Sequence, residues 1–247
     1  MKVIPTSFTG KIRIGILIFV LAYAYVSLML IQRVGSEVMR TSAGTTDFAI
    51  VHFSNPAGRE IIFVAMQHIA LASFYDDIET QVAKFPTYTI LEEGVEDDTA
   101  SESIEVAPER VRAITTKLEQ YDHKATQVAE ERSEVQQPSF YGGGKYLIRD
   151  AKLSDLVARC AEEWGCRTWV TNPDLQPYII PLAFESYKTV FIDERNSIVI
   201  KHLFDADNNE NTIIIWGASH YDGIAHELKK RGFVETHRTW RTATRNR

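Results

Sequence analysis

The stretch from Asn211 to Trp216 (NTIIIW), continuing into Gly217-Ala218-Ser219-His220 and a helical pattern over Tyr221–Arg231, decides the fold. Three consecutive isoleucines bounded by polar and glycine residues predict a buried strand. The following helix is predicted to end at Lys229-Lys230-Arg231-Gly232, because basic side chains and then a glycine are typical of a helix C-terminus. A buried strand that leads directly into a helix indicates a sheet covered by helices.

Similar patterns on either side of this stretch extend the architecture. The other predicted strands cover residues 48–53, 60–66, 87–91 and 233–242, and the other predicted helices cover residues 73–85, 108–137, 153–164 and 184–204. The first two strands are joined by Ser54-Asn55-Pro56-Ala57-Gly58, which is typical of a hairpin turn. Interleaved strands and helices are compatible with an α/β or an α+β class. We expect an α+β fold with a mixed central β-sheet flanked by helices.

One apolar segment precedes this body. Ile14–Ile31 runs for 18 residues without a charge, which is the lower end of the length that crosses ~30 Å of hydrocarbon. Ala22-Tyr23-Ala24 is a possible signal-peptide cleavage site, but the apolar run continues past it and favours an uncleaved anchor. Lys2, Lys11 and Arg13 predict a cytoplasmic N-terminus and an exported body. We expect residues 1–33 to form a cytoplasmic stub and a transmembrane helix, residues 34–46 a linker and residues 47–247 the domain.

The charge distribution argues against one class of partner. The chain has 247 residues, of which 45% are hydrophobic and 24% charged, as in ordinary globular proteins. After residue 33 there are 23 basic and 33 acidic residues, a net charge of −10. Because nucleic-acid binding depends on basic residues that neutralise phosphates, we do not expect a nucleic-acid partner. The segment Glu92–Glu109, with eight acidic residues and no basic one, predicts a solvated loop.

The two cysteines, Cys160 and Cys166, have a C-x5-C spacing that matches no zinc-ribbon or redox motif. In an oxidising compartment they can form a local disulfide across a helix end. The alternative is that both are small buried apolar residues, and the sequence leaves the two possibilities open.

Polar side chains follow three of the predicted strands. His68 follows the strand over residues 60–66, Glu92 and Glu93 follow the strand over residues 87–91, and His220 follows NTIIIW. Ligand crevices form at the carboxyl ends of strands in open sheets, and two imidazoles with a carboxylate can bind a first-row divalent metal. A histidine after a strand is also commonly a hydrogen-bonded structural residue. We expect His68, Glu93 and His220 to bind a metal and Glu92 to be the general base, provided that the strand end turns its side chain inward.

Several short motifs resemble those of the TraB/Tiki family. Ala65-Met66-Gln67-His68 and Gly217-Ala218-Ser219-His220 resemble its paired G-x-x-H motifs, with Ala65 in place of the first glycine. Glu93 resembles its acidic residue, Arg195-Asn196 its mid-helix pair, and Arg231-Gly232-Phe233 its ending. The motifs occur in the family's order over residues 47–236. The resemblance implies an α+β fold related to the haem-binding ChaN and erythromycin-esterase groups. In the Tiki branch it implies a membrane-tethered protease that depends on Mn²⁺ or Co²⁺.

The residues and the resemblance together predict a membrane-anchored, metal-dependent hydrolase on the exported side, acting on a peptide substrate. Mn²⁺ or Co²⁺ is the favoured metal and Zn²⁺ the alternative. Arg195 is expected to bind a substrate carboxylate or a developing oxyanion if its side chain points into the crevice, and the alternative is a solvated charge on the helix. Asn196 and His202 are expected to contact the metal ligands, although His202 can also serve helix packing alone. The second hypothesis is a non-catalytic, membrane-anchored protein that binds a peptide or small ligand on the same scaffold.

Overall fold

The computed structural model describes residues 37–42, 44–67, 70–94, 109–118, 120, 135–136, 145–148, 151–172, 183–205 and 208–245. Among these residues, none of the helices has the length and the apolar character that a bilayer crossing requires. The anchor predicted over residues 14–31 lies outside the described residues.

A mixed β-sheet forms the centre of the molecule. The strands are β1 (Met39–Ser42), β2 (Thr45–Ser54), β3 (Glu60–Met66), β4 (Ala70–Leu71), β5 (Thr89–Glu92), β6 (Val135–Gln136), β7 (Lys145–Ile148), β8 (Thr212–Gly217) and β9 (Val234–Arg245). Strands β3, β8, β5 and β7 are parallel and lie side by side in that order. Strand β2 is antiparallel to β3, to β9 and to β1. Strands β4 and β6 form a separate two-stranded sheet.

Helices cover both faces of this sheet. Helices α1 (Ala72–Val82), α4 (Glu194–Leu203) and α5 (Tyr221–Lys230) pack on the sheet, whereas α2 (Leu153–Glu162) and α3 (Trp164–Thr171) lie outside it. Residues 109–118 and 183–188 are also helical. Phe48 on β2 contacts Phe74 on α1, with ring centroids 6.3 Å apart. On the other face Phe63 on β3 contacts Tyr221 on α5 at 5.3 Å. The predicted α+β fold, with a mixed central sheet flanked by helices, is therefore confirmed.

The main core explains why the sequence pattern of the central strands is so clear. All side chains from Ile61 to Met66 and from Thr212 to Trp216 are buried. Parallel strands with helices on both faces need apolar side chains at successive positions rather than at alternate ones. Uninterrupted runs such as EIIFVAM and TIIIW satisfy this requirement.

A second, smaller core lies among the helices outside the sheet. Its buried members are Ile114, Ala151, Leu156, Val157, Cys160, Ala161, Cys166, Val170, Val190 and Phe191. Cys160 and Cys166 are joined in a disulfide with Cα atoms 5.1 Å apart. Of the two alternatives for these cysteines, the structure shows the disulfide. The bond ties the end of α2 to α3.

Two predicted boundaries differ from the structure. Met39–Ser42 forms β1 and pairs with the first residues of β2, so the sheet begins inside the segment predicted as a linker. The helix predicted to stop at Gly165 ends earlier, at Glu162, and α3 begins at Trp164. Gly165 is buried inside α3, where packing in the second core outweighs its low helix propensity.

Candidate functional site

The carboxyl ends of three parallel strands meet at one edge of the sheet. Met66 at the end of β3 pairs with Gly217 at the end of β8, and Glu92 at the end of β5 pairs with Ile215. Helix α4 lies on one face of this edge. The structure thereby brings together four predicted site residues, Glu93, Arg195, Asn196 and His220, which we call the Glu93–His220 cluster.

Glu93 is held by protein groups on both carboxylate oxygens. Nη2 of Arg195 donates to Oε1 at 2.6 Å, and the backbone N–H of Gly217 donates to Oε2. Only 9% of the Arg195 side chain and 13% of the Glu93 side chain are exposed to solvent. A buried ion pair of this kind is costly to break, because removal of one partner leaves the other charged group desolvated. The pair therefore fixes the position of the carboxylate.

Position 217 needs a glycine because a side chain would not fit there, and not because of its backbone conformation. Its φ of −52° and ψ of 139° suit any residue. A Cβ atom at this position, however, would lie 2.9 Å from Oε2 of Glu93. The absence of a side chain lets the Gly217 N–H approach the carboxylate. This contact gives a physical reason for the glycine that opens the second G-x-x-H motif.

His220 is buried, and both of its ring nitrogens face other members of the cluster. Nδ1 lies 2.7 Å from Oδ1 of Asn196, and Nε2 lies 3.4 Å from Nη1 of Arg195. A guanidinium group can only donate, so Nε2 accepts from Arg195 and Nδ1 carries the proton that is donated to Asn196. Nε2 also lies 3.6 Å from Oε1 of Glu93. The cluster thus sets both the tautomer and the orientation of the imidazole.

Consecutive residues of one helix supply both contacts to the ring. Arg195 and Asn196 follow a π-helical segment, Thr189–Asp193, that leads directly into α4. Single π-helical turns are rare in helices and frequently lie at functional sites. The segment lies within the helix predicted over residues 184–204, and the sequence pattern did not reveal its wider turn.

Two residues of the site were missed by the sequence analysis. Trp216 is fully buried, its ring lies 6.1 Å from the His220 ring and 5.9 Å from Cζ of Arg195, and it forms an apolar wall of the cluster. Gly223 on α5 faces Asn196, because a Cβ at this position would lie 2.4 Å from Nδ2. A glycine in the first turn of a predicted helix was the one signal that could have identified Gly223.

Glu92 does not join the cluster. It pairs with Ile215, and paired residues share a face of the sheet, so its side chain leaves the sheet on the face opposite to Trp216. The general-base role predicted for Glu92 is therefore not retained. Burial raises the pKa of the half-buried Glu92 carboxyl.

Of the two remaining predicted site residues, the structure describes only His202, which does not join the cluster. His202 is near the C-terminal end of α4, about 10 Å along the helix from Arg195. Its backbone carbonyl accepts a hydrogen bond from Nδ2 of Asn208. His68 lies outside the described residues.

Two residues of the cluster, His220 and Glu93, have side chains that commonly bind divalent metals. A metal-bound histidine binds through one ring nitrogen while the other donates to an oxygen atom, and His220 has this arrangement through Asn196. Glu93 adds a carboxylate oxygen 3.6 Å from Nε2. The described residues contain no group of three His, Cys, Asp or Glu that could hold a metal ion. A complete site therefore requires a further ligand, the role predicted for His68.

Comparison with known proteins adds no relative: no family model, no curated protein and no solved structure matches the chain. The resemblance to the TraB/Tiki family rests on the motifs and stays a prediction.

Proposed function

We propose that the Glu93–His220 cluster is the active site of a metal-dependent hydrolase that cleaves peptide bonds. The observation that carries this proposal is the buried contact between the Glu93 carboxylate and the oriented His220 imidazole at the carboxyl end of three parallel strands. His220, Glu93 and His68 would hold the metal. A bound divalent metal would supply a nucleophilic water at neutral pH and would polarise the scissile carbonyl.

The protein groups of the cluster have distinct parts in this proposal. Asn196 keeps the proton on Nδ1 of His220, and Nε2, which accepts from Arg195 in this structure, would exchange that hydrogen bond for the metal. Arg195 holds Glu93 in place, and its guanidinium can stabilise negative charge that develops on a substrate oxygen. Trp216 excludes water from one side of the cluster, which strengthens every charge interaction within it.

We further propose that the domain lies on the exported side of a membrane and is anchored by residues 14–31. The Cys160–Cys166 disulfide supports this location, because disulfides persist in oxidising compartments and are rare in the cytosol. An enzyme reporter fused after Arg247 should be active only on the exported side. Reporter activity confined to the cytoplasm would overturn the proposed orientation.

A second candidate function is a non-catalytic binding protein on the same scaffold. It is favoured by the fact that both oxygens of Glu93 already bond to protein groups, as in a structural ion pair. Peptide cleavage separates the two candidates, because a binding protein leaves its ligand intact.

The test measures metal content and peptide cleavage in the purified full-length chain after dialysis against Mn²⁺, Co²⁺ or Zn²⁺. The variants are Glu93→Gln and His220→Ala, and the control is His226→Ala, which changes an exposed histidine on α5. We expect one metal per chain and cleavage of a peptide library in the unchanged and control proteins, and loss of both in the two site variants. Metal binding that survives His220→Ala would refute the metal site, and metal binding without cleavage would favour the binding protein.

A further inference from the structure

A concave site lies on the sheet face that carries α1, opposite to the Glu93–His220 cluster. It is a pocket of about 240 Å³ between the end of α1 and the strands β2, β3, β8 and β9. We call it the α1 pocket.

The floor of the α1 pocket is apolar. Ile50, Ile62, Val64, Val82 and Ile213 are each at most 8% exposed and belong to the main core. A pocket of 240 Å³ is below the range of roughly 300–1,000 Å³ that takes drug-sized ligands. The pocket therefore suits a ligand smaller than a drug molecule, such as a short apolar chain with one polar head group.

The rim of the pocket is basic, although the chain as a whole is acidic. Lys84, Arg241, His52 and His237 line it, and no acidic residue is among the lining residues that the structure describes. Asp77, just outside, forms an ion pair with Arg241 and neutralises it. The Lys84 ammonium instead donates to the amide oxygen of Gln81 at 2.7 Å and forms no ion pair within the described part of the chain.

Two imidazoles stand next to each other at the same mouth. His52 on β2 and His237 on β9 are partners in the strand register, and their ring centroids are 5.6 Å apart. Phe85 covers the other side of the His52 ring at 5.9 Å. The rim thus combines one unbalanced cation with two imidazoles, which can donate hydrogen bonds to an anion.

We propose that the α1 pocket binds a small monocarboxylic acid with a short apolar chain. The chain fills the apolar floor, and the carboxylate lies at the rim near Lys84 and the two histidines. A carboxylate matches the charge of the rim, whereas a neutral or cationic head group leaves Lys84 without a counterion. This site is independent of the proposed hydrolase, because it lies on the other face of the sheet.

Equilibrium dialysis with radiolabelled octanoate tests the proposal on the full-length chain in lipid nanodiscs, with binding to empty nanodiscs subtracted. We expect one octanoate per chain. Unlabelled 1-octanol should compete at least threefold more weakly, and octylammonium and acetate should not compete at the same concentrations. Octanol that competes as well as octanoate, or the absence of saturable binding, would overturn the proposal.

Two variants locate the binding in the pocket. Thr239→Phe places a ring in the mouth and should lower octanoate affinity at least tenfold. Lys84→Gln removes the exposed charge and should lower it about threefold to fivefold, as expected for a solvent-exposed ion pair. Thr244→Phe on the same strand and Lys229→Gln on α5 are the matched controls and should bind as the unchanged chain does. Circular dichroism checks the fold of Thr239→Phe, and unchanged octanoate affinity in both pocket variants would refute the site.

Discussion

Replacement of Gly223 by alanine tests the contact that positions His220. A Cβ at this position would lie 2.4 Å from Nδ2 of Asn196, whereas ordinary contacts begin at 3.4 Å. The buried amide must therefore move by about 1 Å, since the helices around it are packed and cannot separate freely. Its Oδ1 lies 2.7 Å from Nδ1 of His220, so a shift of that size breaks or greatly weakens the hydrogen bond.

The expected loss of stability follows from two opposing effects. Overpacking of a core lowers the free energy of unfolding by about 1–3 kcal/mol. Alanine in place of glycine within a helix raises it by up to about 1 kcal/mol. We expect Gly223→Ala to lower the free energy of unfolding by about 1–2 kcal/mol. In an Asn196→Ala background the same change should be neutral or stabilising, because the new Cβ would meet only the remaining Cβ at 4.0 Å.

The assay is urea unfolding of the four proteins of this double-mutant cycle, followed by tryptophan fluorescence. The cycle isolates the contact between the two positions, with an expected coupling of about 2 kcal/mol. Metal content measured on the same proteins reports whether His220 has lost its orientation. Equal effects of Gly223→Ala in both backgrounds would refute the reasoning, because the glycine would then not be required by Asn196.

Three further predictions address other parts of the molecule. Gly217→Ala should displace the Glu93 carboxylate, which a Cβ would approach to 2.9 Å. The metal content of the purified variant should fall, while its urea midpoint should stay close to that of the unchanged chain. Burial lowers the pKa of His52 below its usual value of 6.5, so the unfolded chain binds more protons than the folded one. The free energy of unfolding should therefore fall as the pH falls below 6.5. His52→Phe should make the free energy of unfolding, measured with urea, less dependent on pH in this range. Replacement of Cys160 and Cys166 by serine should lower the free energy of unfolding by roughly 2 kcal/mol, and an unchanged urea midpoint would contradict this.

The sheet and its covering helices could be predicted because their signals are local. Runs such as Glu60–Met66 and Thr212–Trp216 must be apolar at successive positions when both faces of a strand are covered. The paired strand β1 within residues 34–46 could not be predicted, because its side chains are exposed and its order comes from backbone pairing with β2.

The sequence predicted which residues belong to the candidate site, but it did not predict how they contact one another. Strand ends and motif resemblance selected Glu93, Arg195, Asn196 and His220, and the structure brings these four together. They also selected Glu92, which the register of β5 against β8 directs to the other face. A shift of one residue reverses the face of every side chain in a strand, and no local pattern specifies it at a strand end.

The sequence by itself determined the elements of this protein and the residue types at its strand ends. The tertiary structure alone decided which of those residues meet, which atom of His220 carries the proton, and where the α1 pocket opens. His52 and His237 illustrate the difference, since they become neighbours only through the pairing of β2 with β9. Periodicity reports how one segment divides its side chains between core and solvent, whereas contacts between distant segments depend on register and packing.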